Sequence, residues 1–210
     1  MAIEIRYKEA EGELFGMSKL WGCADLPHGC RYPEVEWVDE DGMTCADPMR
    51  FICQIRLQDI AAYDSENLLP HTGMLYFFAD IDYFLGNLEA DSPGMGQWDK
   101  DRYRVLYAPD TEHLDTHRIV CEDRTVFGLP AQELSFVHSE ERADGFKLLG
   151  KPYFEETEEE YPHYISLLQM DCNDDWRLQF YDCGMLNFLI TPEDLAARKW
   201  EQAICHLHSF

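Results

Sequence analysis

The chain has 210 residues, 46% of them hydrophobic and 13% aromatic, enough apolar material for a sizeable core and too much for a chain disordered throughout. Seventeen basic residues stand against forty-one acidic ones, a formal charge of −24. That balance excludes a phosphate-dominated nucleic-acid binder and docking on an anionic membrane, since both need basic groups.

The N-terminal run MAIEIRYKEAEGELFG is charged along its length and lacks the apolar centre of a secretory signal. No run approaches the roughly 18 apolar residues of a membrane span, so a soluble, cytoplasmic protein is expected. Residues 22–47 read as irregular, punctuated by glycines and prolines. Strands are expected at 49–57, 73–81, 103–108, 132–138, 164–171, 176–182 and 184–190, each short, rich in β-branched or aromatic residues and bounded by turn formers. In 176–182 the side chains alternate, with Trp176, Leu178 and Phe180 on one face and Arg177, Gln179 and Tyr181 on the other. A short helix is expected over 57–63, an irregular loop over 86–101, and a solvated acidic loop at 155–160. The final stretch, TPEDLAARKWEQAICHLHSF, predicts a helix. Thr191 can cap it, Pro192 sits at its first position, and Leu195, Trp200, Ile204 and Leu207 recur at roughly helical spacing. The expected fold is α+β, β-rich and mostly antiparallel, with that C-terminal helix packed on a sheet.

An internal repeat runs through this pattern. Phe51-Ile-Cys-Gln54-Ile precedes Gly73-Met-Leu-Tyr-Phe-Phe, and Ser166-Leu-Leu-Gln169-Met precedes Gly184-Met-Leu-Asn-Phe-Leu. The expectation is one domain over 1–210 made of two similar halves, about 15–110 and 111–210. The ordered set SKLWGCADLPHG (18–29), DPMRFICQIRLQDI (47–60), LLPHTGMLYFF (68–78), GFKLLGKPY (145–153), SLLQMDCNDD (166–175) and YDCGMLNFLITPEDL (181–195) resembles the YwqG-like family of bacterial proteins. The resemblance spans most of the chain. It implies an α+β cytoplasmic protein and carries no established activity.

Eight scattered cysteines without a C-x-x-C pair read as reduced thiols, some packed as small hydrophobes. Eleven arginines against six lysines suggest that part of the acid is held internally by bidentate pairs. Asp171, Asn173, Asp175 and Asp182 fall at calcium-loop positions, but Trp176 stands where that loop needs glycine. Cys23, His28 and Cys30, with Cys205, His206 and His208, match no common zinc spacing, so neither metal nor cofactor is expected. No hydrolase, metalloprotease or nucleotide-binding motif occurs, which argues against catalysis. The favoured function is non-enzymatic binding of a basic protein, in the manner of an immunity factor, through Glu155, Glu156, Glu158, Glu159 and Glu160, and through the acidic surroundings of Trp37. The alternative is a small-molecule or enzymatic site in a cleft between the halves, built from Gln54, Gln169, Asp171 and Asp182. Oligomeric state and partner identity are not legible in the sequence.

Overall fold

The computed structural model describes residues 1–121 and 123–210. Its first strands are β1 (Ala2–Glu9), β2 (Lys19–Leu20), β3 (Ala24–Pro27), β4 (Glu34–Val38), β5 (Thr44–Pro48), β6 (Arg50–Arg56), β7 (Met74–Ala79) and β8 (Gly96–Gln97). There follow β9 (Tyr103–Ala108), β10 (Leu114–His117), β11 (Gln132–Ser139), β12 (Lys147–Leu148), β13 (Ile165–Met170), β14 (Met185–Ile190) and β15 (Ile204–His208). Helix is scarce: α1 (Leu57–Ile60), α2 (Glu155–Glu160) and α3 (Pro192–Ala196) span one or two turns each. The fold is therefore mostly β rather than an even α+β mixture. Among the described residues no helix is long and apolar enough to cross a membrane.

Eleven strands form one sheet in the order β8-β15-β14-β13-β12-β1-β11-β2-β6-β7-β9, while β3 pairs β10 and β4 pairs β5 as separate ladders. All pairings are antiparallel. At the centre β1 and β11 pair along their full length, from Ala2 opposite Ser139 to Glu9 opposite Gln132. β1 then pairs with β12, and β11 with β2, so each central strand is bonded to the wing that the other one leads into. The steps into the two wings match. Lys19-Leu20-Trp21-Gly22 and Lys147-Leu148-Leu149-Gly150 each end on two left-handed residues, with φ of 58° and 77° in the first and 60° and 80° in the second. Glu133 lies opposite Lys19, and Glu4 opposite Lys147.

The wings curl toward each other as a half-barrel. Phe77 of β7 meets Phe188 of β14 edge-on at 5.2 Å between ring centroids, and Tyr103 of β9 reaches the same phenylalanine at 6.2 Å. β7 and β14 show no exposed residue, because both of their faces are covered. Leu75, Phe77 and Ala79 point into the main core shared by both wings, whereas Met74, Tyr76 and Phe78 join a second core beneath the β3–β10 ladder. A strand buried on both faces reads as a continuous apolar run, which is how these two appear in the sequence.

The N-terminal run is the central strand β1, its charges carried by the exposed and half-buried positions. The 22–47 stretch holds the β3 strand and most of the β4–β5 hairpin. The acidic run 155–160 is a short helix, not a loop.

The expected C-terminal helix is corrected. Thr191 does cap, its Oγ1 accepting from the Asp194 N–H at 3.1 Å, but α3 stops at Ala196 and Arg198 turns left-handed at φ 58°. Ile204–His208 then pairs with β14 as β15, because an unpaired buried edge offers more backbone hydrogen bonds than a helix end does. The 176–182 strand is corrected too. Asn173 bonds Leu178 across a tight turn in which Trp176 is buried against Trp21, Tyr7 and Phe146, so the alternation there reflects loop packing.

Gly22 and Gly150 seat the wings on the central pair. A Cβ on Gly150 would lie 2.6 Å from the Glu141 carbonyl oxygen and 2.9 Å from Ala2 Cβ, and one on Gly22 would lie 2.8 Å from Ala131 Cβ. Gly150→Ala is therefore expected to lower stability by about 2–4 kcal/mol, strain and clash combined. At Gly42, also left-handed but with nothing within 4 Å of an added Cβ, alanine should cost only about 1 kcal/mol. Urea unfolding of the two variants decides the matter, and equal losses would remove the packing argument.

Candidate functional site

On the outer face of the sheet a row of buried polar side chains crosses each wing. Register sets Lys19 opposite Gln54 and Gln54 opposite Tyr76 in one, and Lys147 opposite Gln169, Asn187 and then His206 in the other. All six of the Lys, Gln, Tyr and Asn residues in these rows are buried, and so is His206.

Gln54 accepts from the Asp25 N–H at 2.9 Å and donates through Nε2 to the Met17 carbonyl and to Asp25 Oδ2, each at 2.9 Å. Gln169 accepts from the Tyr153 N–H at 2.9 Å and donates to the Gly145 and Ala143 carbonyls at 3.0 and 3.2 Å. Each amide thus clips together the two segments that flank a KLWG or KLLG step. Lys19 finds Asp25 Oδ2 at 2.7 Å, and the same carboxylate accepts from the Gly16 N–H, with Thr116 on its other oxygen. Lys147 instead donates to three carbonyls, those of Glu141, Ala143 and Lys151. Burial with no carboxylate in contact pulls its pKa down to about 8.

Of the four residues expected to share a cleft, Gln169 and Asp171 both bond Gly145, while Gln54 and Asp182 bond other segments. Gln54 and Gln169 are buried in separate wings and bonded mostly to backbone. Asp171 is half-buried, accepts from the Gly145 and Cys172 N–H groups, and has a raised pKa through burial. Asp182 is exposed, its main chain held by the Ser209 hydroxyl.

The acidic stretch on α2 is partly occupied. Glu158 pairs with Lys151 at 2.9 Å and with Arg142, and the Lys151 hydrogen bond leads in holding its carboxyl below the usual range. Glu160 reaches His206 Nε2 at 3.3 Å, although burial still lowers the pKa of that imidazole. Glu155, Glu156 and Glu159 remain exposed. Elsewhere arginine does hold acid internally: Arg50 grips Asp82 with two 2.8 Å bonds, and Arg102 meets Asp80 at 2.6 Å. All eight cysteines are free thiols, with Cys53 and Cys205 buried.

Trp37 lies in the other wing, on the β4–β5 hairpin. This ladder runs from Glu34 opposite Pro48 to Val38 opposite Thr44 and has no buried residue. Its turn is built by Asp39, whose Oδ1 accepts from the Asp41 and Met43 N–H groups. Trp37 donates its indole N–H to Asp47 at 2.8 Å and is still 45% exposed, while Val38 and Met43 beside the turn are 66% and 64% exposed. Residues 32–49 contain six acids and no lysine or arginine. The sequence signal for the hairpin was the Asp-Gly turn at 41–42 between apolar–acidic alternations, masked by the flanking prolines.

A groove of about 420 Å³ runs where the sheet ends approach each other, between β9 and the turn at Trp200. Val105, Leu106 and Trp200 line it, and Lys100 bridges its rim by donating to the Glu201 and Ala203 carbonyls.

Two outcomes follow from the polar rows. Gln169→Leu strands one N–H and two carbonyls at part-buried positions and should destabilise the chain by about 1–3 kcal/mol in urea unfolding, with an intact far-UV spectrum. Lys147 binds fewer protons folded than unfolded between about pH 8 and its ordinary 10.5, so its contribution to stability rises with pH across that window. Wild type should therefore gain on Lys147→Met between pH 7.5 and 9.5. A pH-independent difference would show that the lysine stays charged when buried.

Among curated proteins nothing matches the chain. Residues 18–208 match the family described as domain of unknown function DUF1963, a stretch that begins just before the first KLWG step and ends at the last residue of β15. The chain belongs to that family.

Proposed function

We propose that the protein is a non-enzymatic, cytoplasmic binding module of the YwqG-like type, a single domain of two duplicated halves, and that it docks a basic protein as an immunity factor would. The observation that carries this reading is the β4–β5 hairpin. It has six acids, no balancing base, and exposed Trp37, Val38 and Met43 on an element that contributes no buried residue. Exposed apolar side chains ringed by one sign of charge suit a partner surface of opposite sign, where charge speeds encounter and the aromatic anchors the contact. Glu155, Glu156 and Glu159 add a second acidic surface on the other wing, where Tyr153 and Phe210 are the exposed aromatics packed on Phe154. The duplication draws support from the matched left-handed steps, from the two glutamine clips, and from the exchange of β1 and β11.

A small-molecule site is the second reading. The groove between β9 and Trp200 favours it, since it lies between the two halves and combines aromatic with cationic lining.

The test is a pair of affinity captures from source lysate, run side by side with wild type and a Glu34→Lys/Glu36→Lys/Trp37→Ala variant. The expected result is a basic protein retained by wild type, released at moderate salt, and bound at least about tenfold more weakly by the variant. Retention of the same protein by both chains would sink the hairpin reading. Loss on reversing Glu155, Glu156 and Glu159 instead would move the interface to α2.

A further inference from the structure

Five buried side-chain polar atoms among the described residues have no hydrogen-bond partner within the chain, and three of them belong to one seam of the fold. They are Asn187 Nδ2 on β14, His206 Nδ1 on β15 and Thr157 Oγ1 on α2. None of the three residues is more than 2% exposed. Asn187 and His206 are directly opposed in the β14–β15 ladder, so their side chains leave the same face of the sheet. The α2 segment covers that face. Glu160 reaches His206 Nε2 at 3.3 Å, the Tyr161 ring meets the His206 ring at 5.1 Å, and Phe154 meets the His208 ring at 4.6 Å. Thr157 stands three residues after Phe154 and three before Glu160, on the side of the helix that these contacts turn to the sheet.

In the first wing the corresponding seam is closed by the chain itself. Tyr76 stands opposite Gln54 there, as Asn187 stands opposite Gln169, and its phenol donates straight to the Asp25 carbonyl of the covering segment at 2.7 Å. Asn187 is shorter by a ring. Its Oδ1 accepts from the Ser166 hydroxyl at 2.8 Å, and its Nδ2 donor finds no acceptor in the chain. The polarity of the three atoms then narrows what can join them. His206 Nε2 faces the Glu160 carboxylate and carries the proton of the neutral ring, so Nδ1 offers a lone pair. Asn187 offers a donor, and the threonine hydroxyl serves as either. An anion would meet the Nδ1 lone pair, and a cation would meet the amide N–H. A neutral group that donates and accepts at once suits all three. We propose that Thr157, Asn187 and His206 bind one internal water molecule, which pins α2 to the β14–β15 ladder. An internal water makes roughly two to four hydrogen bonds to buried polar groups, and this set supplies three.

The experiment pairs a crystal structure of the full chain, at a resolution that defines ordered waters, with urea unfolding of Thr157→Val. Valine keeps the shape of threonine and its helix propensity and removes only the hydroxyl. The expected structure holds one water within about 3.2 Å of all three atoms. In unfolding, Thr157→Val should lower the folding equilibrium constant about three- to tenfold, because the water loses one of its hydrogen bonds. A hydroxyl buried with no partner would give the opposite sign, since valine would then relieve an unsatisfied polar atom and raise that constant. The proposal is overturned by a Thr157→Val chain that is as stable as wild type or more so. It is overturned equally by density in which two of the three side chains bond each other directly, or in which no water bridges them.

Discussion

The constraint on which the rest of the molecule depends is the exchange at its centre. β1 leads the chain into the wing that begins with β2, yet its free edge is bonded to β12. β11 leads into the wing that begins with β12 and is bonded to β2. Neither wing can be pulled away without breaking the sheet that the other needs. The long-range pairing this demands is costly to nucleate, since loop closure precedes the contacts that compensate it. Once formed, it makes unfolding cooperative, because β1 and β11 are common to both sides. The glycines at the two steps matter for that reason. They let each wing approach the central strand closely enough for the exchange to close.

Buried polarity follows from the same geometry. A chain that leaves the central strand and steps over its neighbour exposes main-chain groups that no ladder can satisfy, and a buried unpaired amide costs about 1–3 kcal/mol. Gln54 and Gln169 supply the missing partners on either side of the step, and the lysines secure the loops beyond them. The wings solve the rest differently. Where Tyr76 reaches with its hydroxyl to the Asp25 carbonyl at 2.7 Å, the matching position holds Asn187, bonded to Ser166 at 2.8 Å. The outer face of the first wing is closed by the β3–β10 ladder, with the hairpin inserted between β3 and β6, and that of the second by the short α2 and its Glu160–His206 contact. Surface elements thus differ between two wings whose inner steps match.

How much of this was legible depends on the range of the interaction. The strands covered on both faces, β6, β7, β13 and β14, stand out in the sequence because burial leaves a continuous apolar run. The matched Gln-bearing and Gly-Met-Leu segments lie in these same strands. The glutamines were visible as odd polar residues in apolar strands and were assigned to a cleft. Their clip role depends on segments up to 37 residues away in the chain, as with Gln54 and Met17, which no local pattern reports. β15 was misread because a capped start, here Thr191, says nothing about where a helix ends. The fate of Ile204–His208 was settled by the vacant edge of β14, a tertiary effect that overrides propensity.

The charge of −24 can then be divided by what each acid does. Asp25, Asp59, Asp64, Asp80, Asp82 and Glu158 hold backbone or cations inside or along the fold, and their loss would be felt as stability. The acids of the β4–β5 hairpin hold little beyond their own turn and Trp37. On this ladder Glu34 faces Pro48, Glu36 faces Ala46 and Asp47 faces Val35, so no acid is set directly opposite another and none is set opposite a base. An element with no buried residue, and whose largest apolar side chains stay in water, contributes little to the stability of the domain that carries it. Under the function proposed above, a surface of opposite charge is what completes its electrostatic balance.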